Sequence, residues 1–305
     1  MLSKIPFEFP PYLAKRASGL SPLPMAVVGA GHPLVMDSAR RATEGGFIEP
    51  VLVGEADGIN EIARQIGWDI SGIRLVPADG ERQAAETAAS LARGGEVAAL
   101  MKGHIHTDTL MRAILTRSAG LRTDRRVSHI FHMTLPGRDR VIHITDAAVN
   151  VQPGVAEKLD IVLNAVELAQ SLGMESPKVA MLSGAETVNP AMPSSVEADE
   201  VVRLANNGAV KGAIVDGPFG FDNAVSPEAA LIKGVDSPVA GQADILVVPN
   251  LESGNFLFKQ MVYFMSATAA GIVMGAKVPV VLTSRADPSE ARLAAAAIAS
   301  IIGER

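Results

Sequence analysis

A serine and an arginine, Ser284 and Arg285, follow a β-branched run at residues 278–282 and precede a predicted helix. Asp287 and Pro288 come next, and this pair is typical of the N-cap and the first position of a helix. Free amide groups and the positive end of the helix dipole favour an anion at such a start, and a guanidinium binds two phosphate oxygens at once. The segment therefore indicates an anion site, although the spacing Ser284-x-x-Asp287 equally fits a capping box without a ligand.

Polar side chains also follow the other predicted strands. Ligands of doubly wound sheets bind in the loops beyond the carboxyl ends of the strands, so these side chains are the candidates for substrate binding. Arg112 lies at the start of a helix just beyond one such loop. For Arg112 and Lys259 the competing interpretation is a solvated or snorkelling side chain on a helix. The candidates are Lys102, Thr107, Asp146, Asn150, Asp216, Asp222, Asn250, Glu252, Asn255 and Lys259.

Two further patterns point to other chemistry. Gly29-Ala-Gly31 follows a predicted strand, and Glu55 ends the next one, as in a dinucleotide fingerprint. Leu34 stands where that fingerprint has its third glycine or alanine, so the sequence argues against NAD. His104-x-His106 with Asp108 resembles part of a metal site, but no further ligand follows at a suitable spacing and we predict no metal.

The elements that must position these residues alternate regularly. Short β-branched runs are followed by helical runs, which predicts a mainly parallel sheet with helices on both faces. Residues 128–134 and 140–145 are expected to pair antiparallel around a Pro136-Gly137 turn. Residues 256–276 are expected to form one long buried helix. We predict a first domain at 1–145, completed by 277–305, and a second at 146–276.

Composition excludes several classes of protein. The 305 residues hold 27 Lys and Arg against 33 Asp and Glu, a net charge of −6 that argues against nucleic acid as a partner. Absence of cysteine excludes disulfides, thiolate metal sites and a cysteine nucleophile. The uncharged stretch at 260–276 is shorter than the roughly 20 apolar residues of a membrane span. We therefore expect a protein of the cytoplasm, with no membrane contact.

Taken in order, the strand-end loops resemble the phosphate acetyltransferase and phosphate butyryltransferase family, most of all its butyryltransferase-like branch. The resemblance covers roughly residues 20–305. Its most specific segments are Pro-Asn-Leu-Glu-x-Gly-Asn at 249–255 and Ser-Arg-x-Asp at 284–287. It also includes Met-Lys-Gly at 101–103, Thr-Asp-Ala-Ala-Val-Asn at 145–150 and Asp-Gly-Pro at 216–218.

The resemblance implies a reaction and an architecture. The reaction is acyl-CoA plus phosphate giving acyl phosphate plus CoA, with an acetyl or butyryl group. The architecture is α/β, with two doubly wound domains and a cleft between them, like the isocitrate and isopropylmalate dehydrogenases. The family also implies a homodimer that needs no cofactor and no metal, with coenzyme A as a substrate.

The same resemblance implies roles for individual residues. Ser284 would hydrogen-bond the thiol or the carbonyl oxygen, while Arg285 and Arg112 would bind phosphate or the phosphates of CoA. Acetyltransferases of the family place an aspartate base seven residues after the motif serine, where this chain has Ala291. Asp287 and Glu290 are the neighbouring carboxylates that could replace it.

Two other functions fit the residues less closely. An NAD-dependent decarboxylating dehydrogenase would share the fold, but such enzymes hold a divalent metal with clustered aspartates. A CoA-binding or acyl-phosphate-binding protein without catalysis would explain the missing base. Turnover and nucleotide absorbance distinguish these possibilities from an acyltransferase.

Overall fold

The computed structural model describes residues 2–284 and 287–304, and their contacts divide the chain into two compact units. The central unit is Arg126–Ala269 with the described N-terminal residues up to Pro6. The terminal unit is Phe7–Arg125 with the described residues from Ala270 onward. The strands are β1 Leu23–Val28, β2 Ile48–Gly54, β3 Arg74–Pro77, β4 Ala99–Lys102, β5 Ser128–Thr134, β6 Val141–Thr145, β7 Lys178–Leu182, β8 Ile214–Phe219, β9 Ile245–Val247, β10 Thr268–Met274 and β11 Val280–Val281.

The helices alternate with these strands, as the sequence predicts. They are α1 Pro11–Ala17, α2 Pro33–Glu44, α3 Ala56–Gln65, α4 Gly80–Arg93, α5 Thr107–Leu115, α6 Val155–Ser171, α7 Pro193–Leu204, α8 Phe221–Val225, α9 Pro227–Ile232, α10 Leu251–Met265 and α11 Ser289–Gly303. Short 3₁₀ and π turns follow α5 and α7 at Arg117–Ala119 and Ala205–Ala209.

In the terminal unit the strand order is β3-β2-β1-β4-β11-β10. All neighbours are parallel except β10 and β11. Helices α1, α2 and α11 pack together, and α4 packs on α5. Alanines 294–297 of α11 are fully buried, because small side chains let a helix approach its neighbours closely. Because β1, β4 and β11 are parallel, their carboxyl ends meet at one edge of this sheet.

The central unit has the order β5-β6-β9-β7-β8. The predicted antiparallel hairpin is present as β5 and β6, and the other neighbours are parallel. The expected boundary at 145/146 assigns this hairpin to the first domain. Its contacts place it in the central unit instead, since β6 pairs with β9. The second division likewise falls at 269/270 rather than at 276/277.

The predicted single helix at 256–276 is wrong. Helix α10 ends at Met265, and Ser266 takes a left-handed conformation with φ of 52°. The Ser266 hydroxyl donates to Ile5 O at 2.6 Å, which holds this reversal in place. The chain then continues as the fully buried strand β10. Hydrophobic periodicity does not separate a buried helix from a buried strand. No helix in the described part of the chain is long and apolar enough to cross a membrane.

Candidate active site

A small pocket of about 140 Å³ lies where β1, β4 and β11 end in the terminal unit. Lys102 is the last residue of β4 and is buried, Ser284 follows β11, and His32 follows β1. A Cβ on Gly103 would lie 2.5 Å from Val28 O, so glycine is needed where these loops meet. We call this the cation pocket, and its lining is His32, Leu34, Val35, Lys102, Gly103, His104, Thr283, Ser284 and Arg292.

The charges of the cation pocket favour an anion. Lys102 and Arg292 are both 6% exposed, and burial lowers the pKa of Arg292 from its ordinary value. The His32 and His104 rings stack at 4.5 Å. Burial lowers the pKa of His32, and the neighbouring His104 and Arg292 lower it further. His32 is therefore a neutral imidazole at neutral pH, and its Nδ1 accepts from the Leu34 amide at 3.3 Å.

Ser284 and Asp287 close a tight turn before α11. The Ser284 amide donates to Asp287 Oδ2 at 2.6 Å, and the Asp287 amide donates to Ser284 O at 3.2 Å. Helix α11 begins at Ser289 with Pro288 as its N-cap. The prediction that Asp287 is the N-cap and Pro288 the first helical residue is therefore wrong. Arg285 lies outside the described residues.

The two carboxylates nearest Ser284 in sequence are both engaged. The Asp287 carboxylate holds the Ser284 amide, as described above. Glu290 Oε1 accepts from Arg41 Nη1 at 3.3 Å and from the Ser289 hydroxyl at 3.2 Å. Ala291 is fully buried in α11. Sequence reasoning did not single out His32, which follows a strand end and lines the cation pocket.

Arg112 lines a different cavity from Ser284. Helices α4 and α5 form a groove of about 400 Å³ whose cationic side chains are Arg82, Arg93 and Arg112. Arg82 Nε lies 3.7 Å from Glu86, and Arg93 donates to Ser118 O at 2.9 Å. We call this the arginine groove. Thr107 is the first residue of α5 and does not line it.

The two loop histidines have different partners. His104 stacks on His32, whereas His106 Nδ1 lies 2.8 Å from the Glu81 carboxylate. Among the residues that the structure describes, no group of three or more His, Asp or Glu side chains is placed to hold a metal ion.

In the central unit, Asp146 and Asn150 form a buried hydrogen-bonded loop. Asp146 Oδ1 accepts from the amides of Ala148 and Val149, and Oδ2 accepts from the amides of His129 and Asn150 at 3.1 and 3.2 Å. The Asn150 side chain donates to Asp146 Oδ2 at 2.6 Å and to Val127 O at 2.9 Å. These contacts make the loop rigid and occupy both side chains.

Helix α10 begins beside this loop. Asn250 is its N-cap and accepts from the Ser253 amide at 3.0 Å. Asn255 donates to Ala147 O at 3.4 Å, and a Cβ on Gly254 would lie 2.8 Å from the Ala147 Cβ. The structure thus brings Asn250, Asn255, Asp146 and Asn150 together. Glu252 and Lys259 are exposed on the same helix.

Asp216 and Asp222 belong to separate contacts of the central unit. Asp216 accepts from the Ser237 hydroxyl and from the Gly217 amide. Asp222 pairs with Lys233 at 2.9 Å, and this hydrogen bond lowers the pKa of its carboxyl. Lys233 also contacts Glu186 at 2.7 Å. These acidic residues are held by partners within the unit.

Comparison with known proteins identifies relatives across nearly the whole chain. The family model described as phosphate acetyl/butaryl transferase matches residues 78–300. The chain is 45% identical to a phosphate acetyltransferase of Rickettsia prowazekii, over 95% of this chain and 83% of that protein. It is 39% identical to a phosphate butyryltransferase of Clostridium acetobutylicum, over 91% and 92% of the two chains.

Solved structures agree with these relatives. A branched-chain phosphotransacylase from Enterococcus faecalis superposes with a TM-score of 0.79 at 33% identity, covering 93% of this chain and all of that one. A 4-hydroxythreonine-4-phosphate dehydrogenase from Burkholderia phymatum superposes with a TM-score of 0.55 at 14% identity, covering 92% and 98%, which shows a shared fold alone. The expected dehydrogenase-like α/β fold is confirmed, and the chain belongs to the phosphate acetyl/butyryl transferase family.

Proposed function

We propose that this protein is a phosphate acyltransferase that converts acyl-CoA and inorganic phosphate into acyl phosphate and CoA, with an acetyl or butyryl group. Family membership supports the acyltransferase activity. The observation that carries the site is the cation pocket, where Lys102, Arg292 and Ser284 line one cavity. Neither the dehydrogenase nor the non-catalytic binding protein has comparable support.

The chemistry is simplest to follow from acyl phosphate and CoA. The thiol of CoA gives up its proton, and the sulfur attacks the acyl carbon to form a C–S bond. The carbonyl oxygen carries the negative charge of the tetrahedral intermediate until the C–O bond to phosphate breaks. The products are the thioester and phosphate, and the reverse reaction follows the same steps.

Residues of the cation pocket supply what these steps need. Lys102 offers a cation to the phosphate, together with Arg285, whose position in the sequence adjoins Ser284. The Ser284 hydroxyl hydrogen-bonds the thiol or the carbonyl oxygen. The thiol loses its proton to solvent, and the pocket contributes by holding the thiolate against the acyl carbon. Arg292 adds positive charge to the pocket and holds the Ser284–Asp287 turn.

The arginine groove binds the phosphates of CoA. Three guanidinium groups, those of Arg82, Arg93 and Arg112, suit the diphosphate and the 3′-phosphate of the nucleotide. Glu86 is the acidic side chain of its described lining. The exposed side chains of Glu252 and Lys259, with Asn255, stay as substrate-binding predictions on α10.

Two further proposals concern the cellular location of the enzyme and its oligomeric state. We propose that the enzyme works in the cytoplasm without metal or cofactor. We also propose a homodimer, because α10 exposes Phe256, Tyr263 and Phe264 by 70%, 44% and 59%. Leu2 adjoins this face through its amide, which donates to Tyr263 O at 3.1 Å. An apolar face of this kind suits a second copy. Light scattering should give a dimer for the native chain and a monomer for Phe264→Glu.

The central experiment is thiol release from acyl-CoAs of two to eight carbons, with and without phosphate. We expect phosphate-dependent release of CoA with formation of acyl phosphate, fastest with an acetyl or butyryl group. Saturable CoA binding without turnover would favour a binding protein. Reduction of NAD with a hydroxy acid would favour the dehydrogenase.

A further inference from the structure

A third cavity of the terminal unit has five glycines among its eleven lining residues. It measures about 200 Å³ and lies where β1, β2 and β3 end. This is below the range of roughly 300–1,000 Å³ for a pocket that holds a whole ligand, so it suits part of a larger molecule. We call it the glycine pocket, and its lining is Gly29, Gly31, Gly54, Glu55, Gly58, Ala78, Gly80, Glu81, Ala84, His104 and Ile105.

Several of these glycines have no packing reason to be glycine. A Cβ built on Gly31, Gly58 or Gly80 would meet no other atom of the described chain within 4 Å. Gly31 and Gly58 also lack the positive φ that favours glycine. Gly58 lies in the first turn of α3, where alanine is the better helix former. Because Gly31 and Gly58 line a cavity, their missing side chains leave room inside it for a ligand.

The charges of the glycine pocket disfavour phosphate. Glu55 and Glu81 are the charged side chains of its described lining, which holds neither lysine nor arginine. Glu81 already accepts from His106, whereas Glu55 precedes α3 without making a capping hydrogen bond in the described chain. Carboxylates and glycine backbone accept hydrogen bonds from hydroxyl and amide groups. The pocket therefore suits a neutral, hydrogen-bonding chain.

Its neighbours on either side are cationic. His104 lines both the glycine pocket and the cation pocket. Helix α4 contributes Glu81 and Ala84 to the glycine pocket and, from a different face, Arg82 and Arg93 to the arginine groove. The glycine pocket thus shares His104 with the cation pocket and helix α4 with the arginine groove.

We propose that the glycine pocket binds the pantetheine arm of coenzyme A. This proposal rests on the proposed function. Coenzyme A has the matching order of groups: a reactive thiol, a neutral arm with two amides and a hydroxyl, and a nucleotide with its phosphates. The arm in the glycine pocket directs the thiol toward Ser284 and His32 and the nucleotide toward Arg112.

A free nucleotide is the competing occupant. Gly29, Gly31 and Glu55 line this one cavity beside a sheet of order β3-β2-β1-β4, as in dinucleotide-binding folds. In those folds the acidic residue binds a ribose hydroxyl. The acidic lining and the adjoining arginine groove favour pantetheine, because the phosphates of a nucleotide find cations in the groove.

Replacing a glycine of the pocket by alanine adds one methyl group to the cavity and tests the proposal. Gly58→Ala and Gly31→Ala should raise KM for acyl-CoA by roughly tenfold, the lower range for one methyl group in a fitted pocket. KM for phosphate should not change, and the Tm of Gly58→Ala should stay equal or rise. Gly72→Ala is the matched control, since its Cβ also meets nothing in the described chain and Gly72 lines none of the three cavities.

Truncated substrates locate the occupant. Acyl-pantetheine carries the arm without the nucleotide, and Gly58→Ala should raise its KM by the same factor. An N-acetylcysteamine thioester lacks most of the arm and should be used equally well by both proteins. Unchanged kinetics with acyl-CoA, or a defect confined to acyl-CoA, would overturn the proposal, as would NAD binding that Gly58→Ala abolishes.

Direct binding separates this inference from the proposed function. Calorimetry with CoA and pantetheine needs no turnover. If the native protein releases no CoA from any acyl-CoA, the proposed function fails. Binding of pantetheine that Gly58→Ala weakens and Gly72→Ala leaves intact would still support the pocket, and pantetheine binding that neither variant changes would overturn it.

Discussion

The guanidinium of Arg292 donates to the main-chain oxygen of Ser284 at 3.0 Å, and it also donates to Asp287 O at 2.9 Å. One buried side chain of α11 therefore joins both ends of the turn that presents Ser284. Without it, two carbonyl oxygens of that turn lose a charged donor. The position of Ser284 thus depends on a residue eight places further along the chain.

We expect Arg292→Met to lower both stability and turnover. A hydrogen bond to a charged group contributes about 1.5–3 kcal/mol, so the free energy of unfolding should fall by at least that amount. Arg292→Lys should recover only part of the loss, because a single ammonium does not reproduce the planar fork. Denaturant unfolding and kcat measure the two effects. Arg64→Met is the control, since Arg64 is an exposed partner of Glu61. Native kcat in a folded Arg292→Met protein would contradict this role.

Asp287→Asn should keep most of the activity. The carboxylate accepts the Ser284 amide, and the oxygen of asparagine can accept the same hydrogen bond. Asp287→Ala should lose more, because the amide of Ser284 is then unpaired. If Asp287 were instead the base for the thiol, Asp287→Asn would lower turnover on the order of 10²–10⁴-fold. The pH profile of kcat distinguishes these outcomes.

Arg112→Ala should raise KM for CoA by roughly 10- to 100-fold and leave KM for phosphate unchanged, since one charged hydrogen bond is lost. The effect should shrink at high ionic strength, where salt screens partly exposed charges. Arg117→Ala is the control, because Arg117 is exposed close by in the sequence but does not line the arginine groove. An equal rise in KM for phosphate would instead place Arg112 with the reacting phosphate.

Acid should destabilise the central unit through a buried histidine pair. His132 Nδ1 lies 3.0 Å from His143 Nε2 across the β5–β6 hairpin. Burial lowers the pKa of both side chains, that of His143 to about 4. Histidine in the unfolded chain titrates near pH 6.5, about 2.5 units higher. Protonation of His143 alone therefore lowers the free energy of unfolding by on the order of 3 kcal/mol.

The direction of this pH effect follows from the number of protons that the folded and unfolded chains bind. Below about pH 6.5 the unfolded chain binds more protons than the folded chain. The free energy of unfolding therefore decreases as the pH is lowered, until the pKa of the folded state is reached. We expect the free energy of unfolding to decrease less steeply between about pH 7 and pH 5 for His143→Gln than for the native protein. Parallel curves for the two proteins would show that the pair does not govern this range.

Activity should survive EDTA and dialysis. The proposed reaction assigns phosphate to lysine and arginine side chains and the thiol proton to solvent, so it requires no divalent ion. The measurement is phosphate-dependent thiol release before and after chelation. A loss that Mg²⁺ or Zn²⁺ restores would assign part of this chemistry to a metal.

The sequence predicts the secondary structure elements well and the cation pocket only in part. Alternating runs predict nearly all strands and helices, and the rule for strand ends selects Lys102 and Ser284, which both line the cation pocket. The run at 260–276 is misread because its small and apolar residues suit a buried helix as well as strand β10. The reversal at Ser266 depends on hydrogen bonds to Ser3 and Ile5, which are distant in sequence.

Arg292 and the separation of Arg112 from Ser284 could not be predicted in this way. Arg292 stands in an alanine-rich helix, where nothing local distinguishes it from a solvated side chain. Its function depends on which carbonyl oxygens α11 meets after packing. Likewise, the strand-end rule predicts which edge of the sheet a loop occupies but does not divide that edge into separate cavities.

The pairing of Leu100 with Val280 also determines when the terminal unit can be completed. Residues 7–125 supply β1–β4, but β4 lacks its neighbour β11 and α2 lacks its neighbour α11 until residues 280–303 have been made. The central unit needs only residues up to 269. During synthesis the central unit can therefore be completed before the terminal unit, and the edge of β4 stays open until β11 has been made.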